Sequence, residues 1–279
     1  MASSKSKPTK KAKAEPTVAT RPRDLLKLSD SPVHPFDEMH GVETSGLVPA
    51  KNLVTGHAND EHVTAYYGVA PSILRRLIGH WRETVPRYPI SSYTFIDIGC
   101  GKGRGLMVAS EFAFRKVVGV ELNPAMAAVA RENVLRWDEA HASDPTAELI
   151  APIEVLEQDA LQLELPMGPV LLFLFHPFEA PVLKALLRSI ETQFGTRAKG
   201  GEEPVLDLLY VNAECANVLD KHPAFEQFFL DKVQMSPEDH AADLEAIAQQ
   251  KEYGSTGDEE CAIYRYVGRA KGPVFKPAA

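Results

Sequence analysis

Tyr93-Thr94-Phe95-Ile96-Asp97-Ile98-Gly99-Cys100-Gly101-Lys102-Gly103-Arg104-Gly105 is followed, after an apolar stretch, by Lys116-Val117-Val118-Gly119-Val120-Glu121. Thr94 to Ile98 is β-branched and aromatic without a breaker, the pattern of a parallel strand buried on both faces. It ends in glycines at every second position, Gly99, Gly101, Gly103 and Gly105. A helix is predicted from about Arg104, with Leu106, Met107, Ala109 and Phe112 on its apolar face. Val117 to Val120 reads as a second buried strand, and Glu121 stands at its carboxyl end. The order is strand, glycine loop, helix, strand.

Glycines at such a turn allow positive φ and remove Cβ, so that backbone can touch a ligand. In open α/β sheets ligands bind at the carboxyl ends of the strands. The dinucleotide fingerprint needs glycines at i, i+2 and i+5. Counted from Gly99, the last position is Arg104; counted from Gly101, it is Leu106. The pyrophosphate reading fails on that spacing. A P-loop fails as well, because no Gly-Lys-Ser/Thr closes the loop.

The remaining pattern is an acid, alternating glycines, and a second acid ending the next strand. In Asp97, Gly99, Gly101, Gly103 and Glu121 it resembles the cofactor loop of class I S-adenosylmethionine-dependent methyltransferases. The resemblance implies a Rossmann-like α/β fold: a seven-stranded, mostly parallel sheet flanked by helices, with the last strand antiparallel. It implies S-adenosyl-L-methionine as cofactor, with Glu121 (Leu122 beside it) on the ribose hydroxyls and Asp97 near the methionine ammonium. Asp159, after a third strand, would accept from the adenine amine, with Ala160 offering a backbone donor. Tyr66 and Tyr67 would cover the methionine part, or serve as core or hinge aromatics; both readings stay open. The end of the fourth strand, His176-Pro177-Phe178, stands where amino methyltransferases of this fold often carry Asp/Asn-Pro-Pro-aromatic. That makes Pro177 and Phe178 acceptor-side candidates. His176 is either a general base or a histidine capping the strand end, and Glu214 is a second base candidate. The cofactor loop also resembles that of lysine methyltransferases of this fold, so the acceptor is expected to be a protein lysine amine or a small metabolite. A non-catalytic binding module with the same fold is the main alternative; a nucleotide-cofactor oxidoreductase is disfavoured by the glycine spacing.

Composition agrees with a globular chain. Of 279 residues, 44% are apolar and 24% charged, with net charge −8, enough material for one sizeable core. Cys100, Cys215 and Cys261 are odd in number and far apart, without metal spacing, so neither a disulfide framework nor a metal site is expected. The longest apolar run, Val170 to Phe175, is too short to span a bilayer, and no secretory signal is apparent. A cytoplasmic location, with no membrane contact, is the expectation; oligomeric state is open.

Residues 1–30 read as a disordered basic tail. Over residues 1 to about 23, Lys5, Lys7, Lys10, Lys11, Lys13, Arg21 and Arg23 oppose only Glu15, and almost no apolar side chain is present to offset ordering entropy. The tail is either a solvated segment or an arm for an acidic partner. The body is strongly acidic, which argues against a wide nucleic-acid face. Residues 31–70 read as a loop-rich leader near the cofactor site. Its Phe36-Asp37…Gly41-Val42…Thr44-Ser45-Gly46 pattern resembles a leader found before the methyltransferase domain in a set of bacterial proteins. Residues 71–270 are assigned to the methyltransferase domain and 271–279 to a C-terminal tail.

Within the domain, Ile73, Leu74, Leu77, Ile78 and Trp81 mark an amphipathic helix after Pro71. Helices are also expected over Pro124–Trp137, Ala180–Phe194 (ended by the glycines from 195 to 201) and Ala241–Gln250. Residues 138–152 read as a surface loop. Strands are expected over Ile153–Leu156, Pro169–Phe175, Val205–Val211, Phe225–Val233 and Cys261–Val267.

Overall fold

The computed structural model describes residues 32–143, 148–201, 203–248 and 255–268. The expected basic tail over 1–30 and the C-terminal tail over 271–279 lie outside the described residues. Seven strands form one sheet: β1 (Thr94–Ile98), β2 (Lys116–Glu121), β3 (Ile153–Glu157), β4 (Val170–Phe175), β5 (Leu206–Val211), β6 (Phe225–Gln234) and β7 (Asp258–Tyr266). Their order is β3-β2-β1-β4-β5-β7-β6. β1 to β5 are mutually parallel, and β7 runs antiparallel to both β5 and β6. This is the mostly parallel, Rossmann-like sheet that the sequence pattern implies.

The central strands are uninterrupted apolar runs because both faces are covered. Phe95, Leu171, Phe173 and Leu209 face α2 (Pro71–Thr84) and α3 (Arg104–Ser110), in one core. Ile96, Ile98, Leu172, Leu174, Leu208 and Tyr210 face the other, under α5 (Ala180–Lys199). Two indole donors tie the layers together. Trp81 Nε1 donates to the fully buried Asp207 on β5 at 3.0 Å, and Arg265 Nε donates to the same carboxylate at 2.8 Å. Trp137, on α4 (Pro124–Ser143), donates to Ser110 Oγ at 3.0 Å.

Several boundaries differ from the sequence reading. α5 does not stop at Gly195 but runs through it to Lys199. A Cβ at Gly195 would meet no atom, so this glycine is only a weak local penalty. Arg197 secures the last turn by donating to the carbonyls of Leu165 and Pro166. α4 continues six residues beyond Trp137, into the segment expected to be loop. The leader contains a helix, α1 (Pro35–His40), capped by the His34 side chain and closed by Gly41 at φ 65°. A short α6 (Ala216–Asp220) was not expected. The last helix, α7 (Pro237–Ile247), starts earlier than its apolar pattern suggested, because Ser236 accepts from the Asp239 N–H as an N-cap.

The strand order reverses between β1 and β4, so their carboxyl ends part there and leave a crevice. The loop after β1, the turn after β2 and the His176-Pro177-Phe178 segment after β4 all open onto it. The leader crosses the same edge, bridging Val48 to Tyr66 and Val63 to Phe178.

Candidate active site

The crevice is a cleft with about 1060 Å³ of empty space, its open mouth included. Its floor is the glycine loop. Gly99, Gly101 and Gly103 have φ of 72°, 55° and 89°, a region that residues with a Cβ rarely adopt. Two of them also allow close approach. A Cβ at Gly99 would lie 2.5 Å from Pro177 Cβ, and one at Gly101 would lie 2.2 Å from Tyr66 Cε2. Leader and acceptor-side loop therefore rest directly on the glycine backbone.

Glu121 closes the end of β2. Its Oε2 accepts from Gly101 N and its Oε1 from Asn123 N, both at 2.8 Å. Burial raises its pKa, and the N–H groups of Asn123, Gly101 and Leu122 work against that rise. A carboxylate offers about four lone-pair sites, so acceptor capacity remains beside the glycine loop for hydroxyl donors.

Asp97 presents the opposite situation. It is 4% exposed and lines the cleft, yet among the described residues its carboxylate accepts no hydrogen bond. Burial first, and the nearby Glu121 charge second, push its pKa up to about 8. A buried carboxylate without a partner is costly in its charged form, and a cationic ligand group satisfies it.

Asp159 and Ala160 line a further part of the cleft. Asp159 Oδ1 accepts from Leu161 N at 2.9 Å, and its Oδ2 lies 3.5 Å from His57 Nε2 of the leader. Leu122, Asn123 and Met126 add a mixed apolar wall on the β2 side. Tyr66 and Tyr67 both line the cleft. The Tyr66 hydroxyl donates to the Thr44 carbonyl at 2.6 Å, and burial first, then the neighbouring Asp243 on α7, raises the pKa of Tyr67.

Of the acceptor-side candidates, Pro177 and Phe178 line the cleft, whereas His176 and Glu214 are not among the lining residues. The latter two lie together, with His176 Nε2 3.4 Å from Glu214 Oε2 and His176 Nδ1 3.0 Å from the Tyr210 hydroxyl. His176 has φ 38°, a rare left-handed backbone for a residue with a side chain. Its carbonyl accepts from Thr64 Oγ1 at 2.5 Å.

Sequence reasoning missed two features here. Arg104 lines the cleft, and its partners lie 36 and 60 residues away; the Phe36–Gly46 pattern was the visible half of that contact. Glu259, at the start of β7, has its pKa raised to about 7 by burial first, then by Asp243, Asp258 and Glu214. No local pattern marks it. Among the described residues, no group of three or more His, Cys, Asp or Glu side chains is placed to hold a metal. None of their helices is long and apolar enough to cross a membrane.

An adenosyl group with an amino-acid tail fits these residues. Spare acceptor capacity at Glu121 suits a ribose diol, bare Asp97 suits an ammonium, and the glycine floor admits close contact. A family model described as a methyltransferase domain matches residues 96–172, which spans β1 to β4. No curated protein matches the chain. Among solved structures, magnesium protoporphyrin IX methyltransferase from Synechocystis PCC 6803, with bound S-adenosylmethionine, is 13% identical, covering 70% of this chain and 76% of its own, with TM-score 0.39. An RNA methyltransferase from Salinibacter ruber, in complex with S-adenosyl-L-homocysteine, is 16% identical, covering 72% and 93%, with TM-score 0.39. The [4+2]-cyclase SpnF is 14% identical, covering 71% and 81%, with TM-score 0.44.

Proposed function

We propose that this chain is a class I S-adenosylmethionine-dependent methyltransferase, a reading that the methyltransferase-domain match over residues 96–172 supports, and that its acceptor is a cationic amine such as a protein lysine side chain. The bound cofactor supplies an activated methyl group on a sulfonium. The protein's part is to hold that donor, orient the acceptor and remove the acceptor's proton.

For the first task, Glu121 takes the ribose hydroxyls and Asp97 the methionine ammonium, with Tyr66 and Tyr67 over the tail and Asp159 with Ala160 at the adenine. The sequence pattern and the lining of the cleft support these roles. The observation that carries the acceptor class is electrostatic. Asp243, a neighbour of the cleft residue Tyr67, is close enough to Glu259 to raise its pKa, and so is Glu214. These three carboxylates, from α7, β7 and the β5 end, lie near one another; none lines the cleft itself, but Asp243 lies beside Tyr67, which does. Such a field concentrates cations and repels phosphates.

An ammonium must lose its proton before its lone pair can attack. For lysine at pH 7 that costs about 4–5 kcal/mol. A base titrating near 7 is matched to the task. We assign the role of base to His176, held by Tyr210 and Glu214. Pro177 and Phe178 form the acceptor-side wall.

The test is incubation with tritiated cofactor and a cell lysate, followed by acid hydrolysis of the labelled fraction. Label recovered as methyl-lysine is the expected result. Label confined to nucleic acid or to neutral metabolites would sink the amine assignment.

A further inference from the structure

Arg104 is the first residue of α3, a position where the positive end of the helix disfavours a cation. It is nonetheless 3% exposed. Its guanidinium leaves the helix and enters the leader. Nε donates to Thr44 Oγ1 at 2.7 Å, Nη1 donates to the Gly68 carbonyl at 3.1 Å, and Nη2 lies 3.9 Å from Asp37 Oδ1. The Thr44 hydroxyl donates onward to Asp37. Asp37 Oδ2 also collects Thr44 N at 2.6 Å, Ser45 N at 2.7 Å and Ser45 Oγ at 2.6 Å.

The same two leader residues hold the cleft wall. The Thr44 carbonyl accepts from Tyr66, whose ring rests on Gly101, and the Ser45 carbonyl accepts from Lys102 Nζ at 2.7 Å. At the other end, a Cβ on Gly68 would lie 2.8 Å from Arg104 Cζ, so the guanidinium lies against the backbone just after Tyr67. Asp37 and Thr44 are not among the lining residues; Tyr66, Tyr67 and Gly101 are.

We propose that Arg104 is a positioning residue: by gripping Thr44 and Gly68 it seats Tyr66 and Tyr67 on the glycine loop, so that docking of residues 44–68 and binding of the adenosyl donor form one linked equilibrium. The inference rests on the cofactor reading above. When only part of the population has its wall in place, apparent affinity falls by that fraction. The link is reciprocal: the ligand stabilises the docked leader.

Thr44 gives the cleanest test, because its side chain touches Arg104 and Asp37 but is not part of the cleft. Arg104→Met would leave the Asp37 carboxylate buried without its cation and threatens folding. In Thr44→Val, Asp37 keeps its two Ser45 bonds. Titration of the full chain with S-adenosyl-L-homocysteine should show Thr44→Val about tenfold weaker or worse, and Thr44→Ser within about twofold of the parent. Hydrogen exchange should show that this ligand protects amides of residues 44–68 in the parent and in Thr44→Ser, with faster leader exchange in Thr44→Val. Unchanged affinity in Thr44→Val overturns the proposal. Equal losses in both variants, tracking a lower Tm of the whole chain, assign Thr44 to fold stability and overturn it too. If the parent binds no S-adenosyl-L-homocysteine, the cofactor reading fails and takes this inference with it.

Discussion

Asp97→Asn separates two consequences of burying a carboxylate that has no partner. In the unfolded chain Asp97 titrates at its ordinary 3.8, whereas in the folded chain without ligand it titrates at about 8. The folded state therefore holds the proton more tightly. The contribution of this group to stability is complete below about pH 4 and is lost as pH rises towards about 8. An asparagine is neutral throughout, so it escapes that loss. The stability gap in favour of the variant should open by up to about 1.4 kcal/mol per pH unit, or about 4 kcal/mol between pH 5 and pH 8. Cofactor binding should move the other way. An amide cannot pair with an ammonium as a carboxylate does, and a hydrogen bond to a charged group is worth about 1.5–3 kcal/mol. Affinity for S-adenosyl-L-homocysteine should drop by about 10- to 100-fold at pH 8. Urea unfolding at pH 5, 6, 7 and 8 reads the first effect, and calorimetric titration reads the second. A gap that stays flat with pH, or an affinity that does not change, would refute the assignment of Asp97 as a buried, ligand-satisfied acid.

Four further outcomes are expected. Glu121→Ala should weaken S-adenosyl-L-homocysteine binding by about tenfold or more, since it removes the proposed ribose acceptor and the anchor of Gly101 N; equal titration curves would speak against it. Gly101→Ala should abolish measurable binding, because the new methyl meets the Tyr66 ring at 2.2 Å on a backbone with φ 55°, and a variant that binds normally would show that the floor is not tightly packed. Trp81→Phe deletes the donor to Asp207 and should cost about 1–3 kcal/mol in urea unfolding; a loss under 0.5 kcal/mol, roughly the level of an ordinary surface change, would show that Arg265 alone satisfies that carboxylate. His176→Ala should leave cofactor affinity within about twofold while lowering methyl transfer about 10²- to 10⁴-fold, and undiminished turnover would remove His176 from the chemistry.

Much of the sheet was legible because its cause is local. β1 is buried on both faces, so Thr94 to Ile98 had to be one unbroken apolar run apart from Asp97, and its bounds follow directly. The glycine loop was legible for a similar reason: positive φ and close contact restrict the choice of residue. The site was less so. Glu121 and Asp97 stand out by position, but the partnering of one and the isolation of the other depend on which N–H groups fold towards them. Asp37 and Thr44 carry no sign that their partner is Arg104, which is 60 residues from Thr44. Glu259 owes its raised pKa first to burial and then to charges of which two, Asp243 on α7 and Glu214 at the β5 end, are remote in sequence. Gly195 misled because a glycine on the solvent side of a long helix looks the same in sequence as one that ends it.

On the reading proposed above, the cleft at the β1 and β2 ends holds an adenosyl amino acid between Asp97 and Glu121, two carboxylates of opposite condition. Calorimetric titration of the full chain at pH 7 with S-adenosyl-L-homocysteine, repeated in buffers of different ionisation enthalpy and compared with NAD, tests it most directly. One binding site with release of about one proton, as Asp97 gives up its own to face the ammonium, and no heat from NAD, is the predicted result. Heat from NAD with silence from S-adenosyl-L-homocysteine would contradict it.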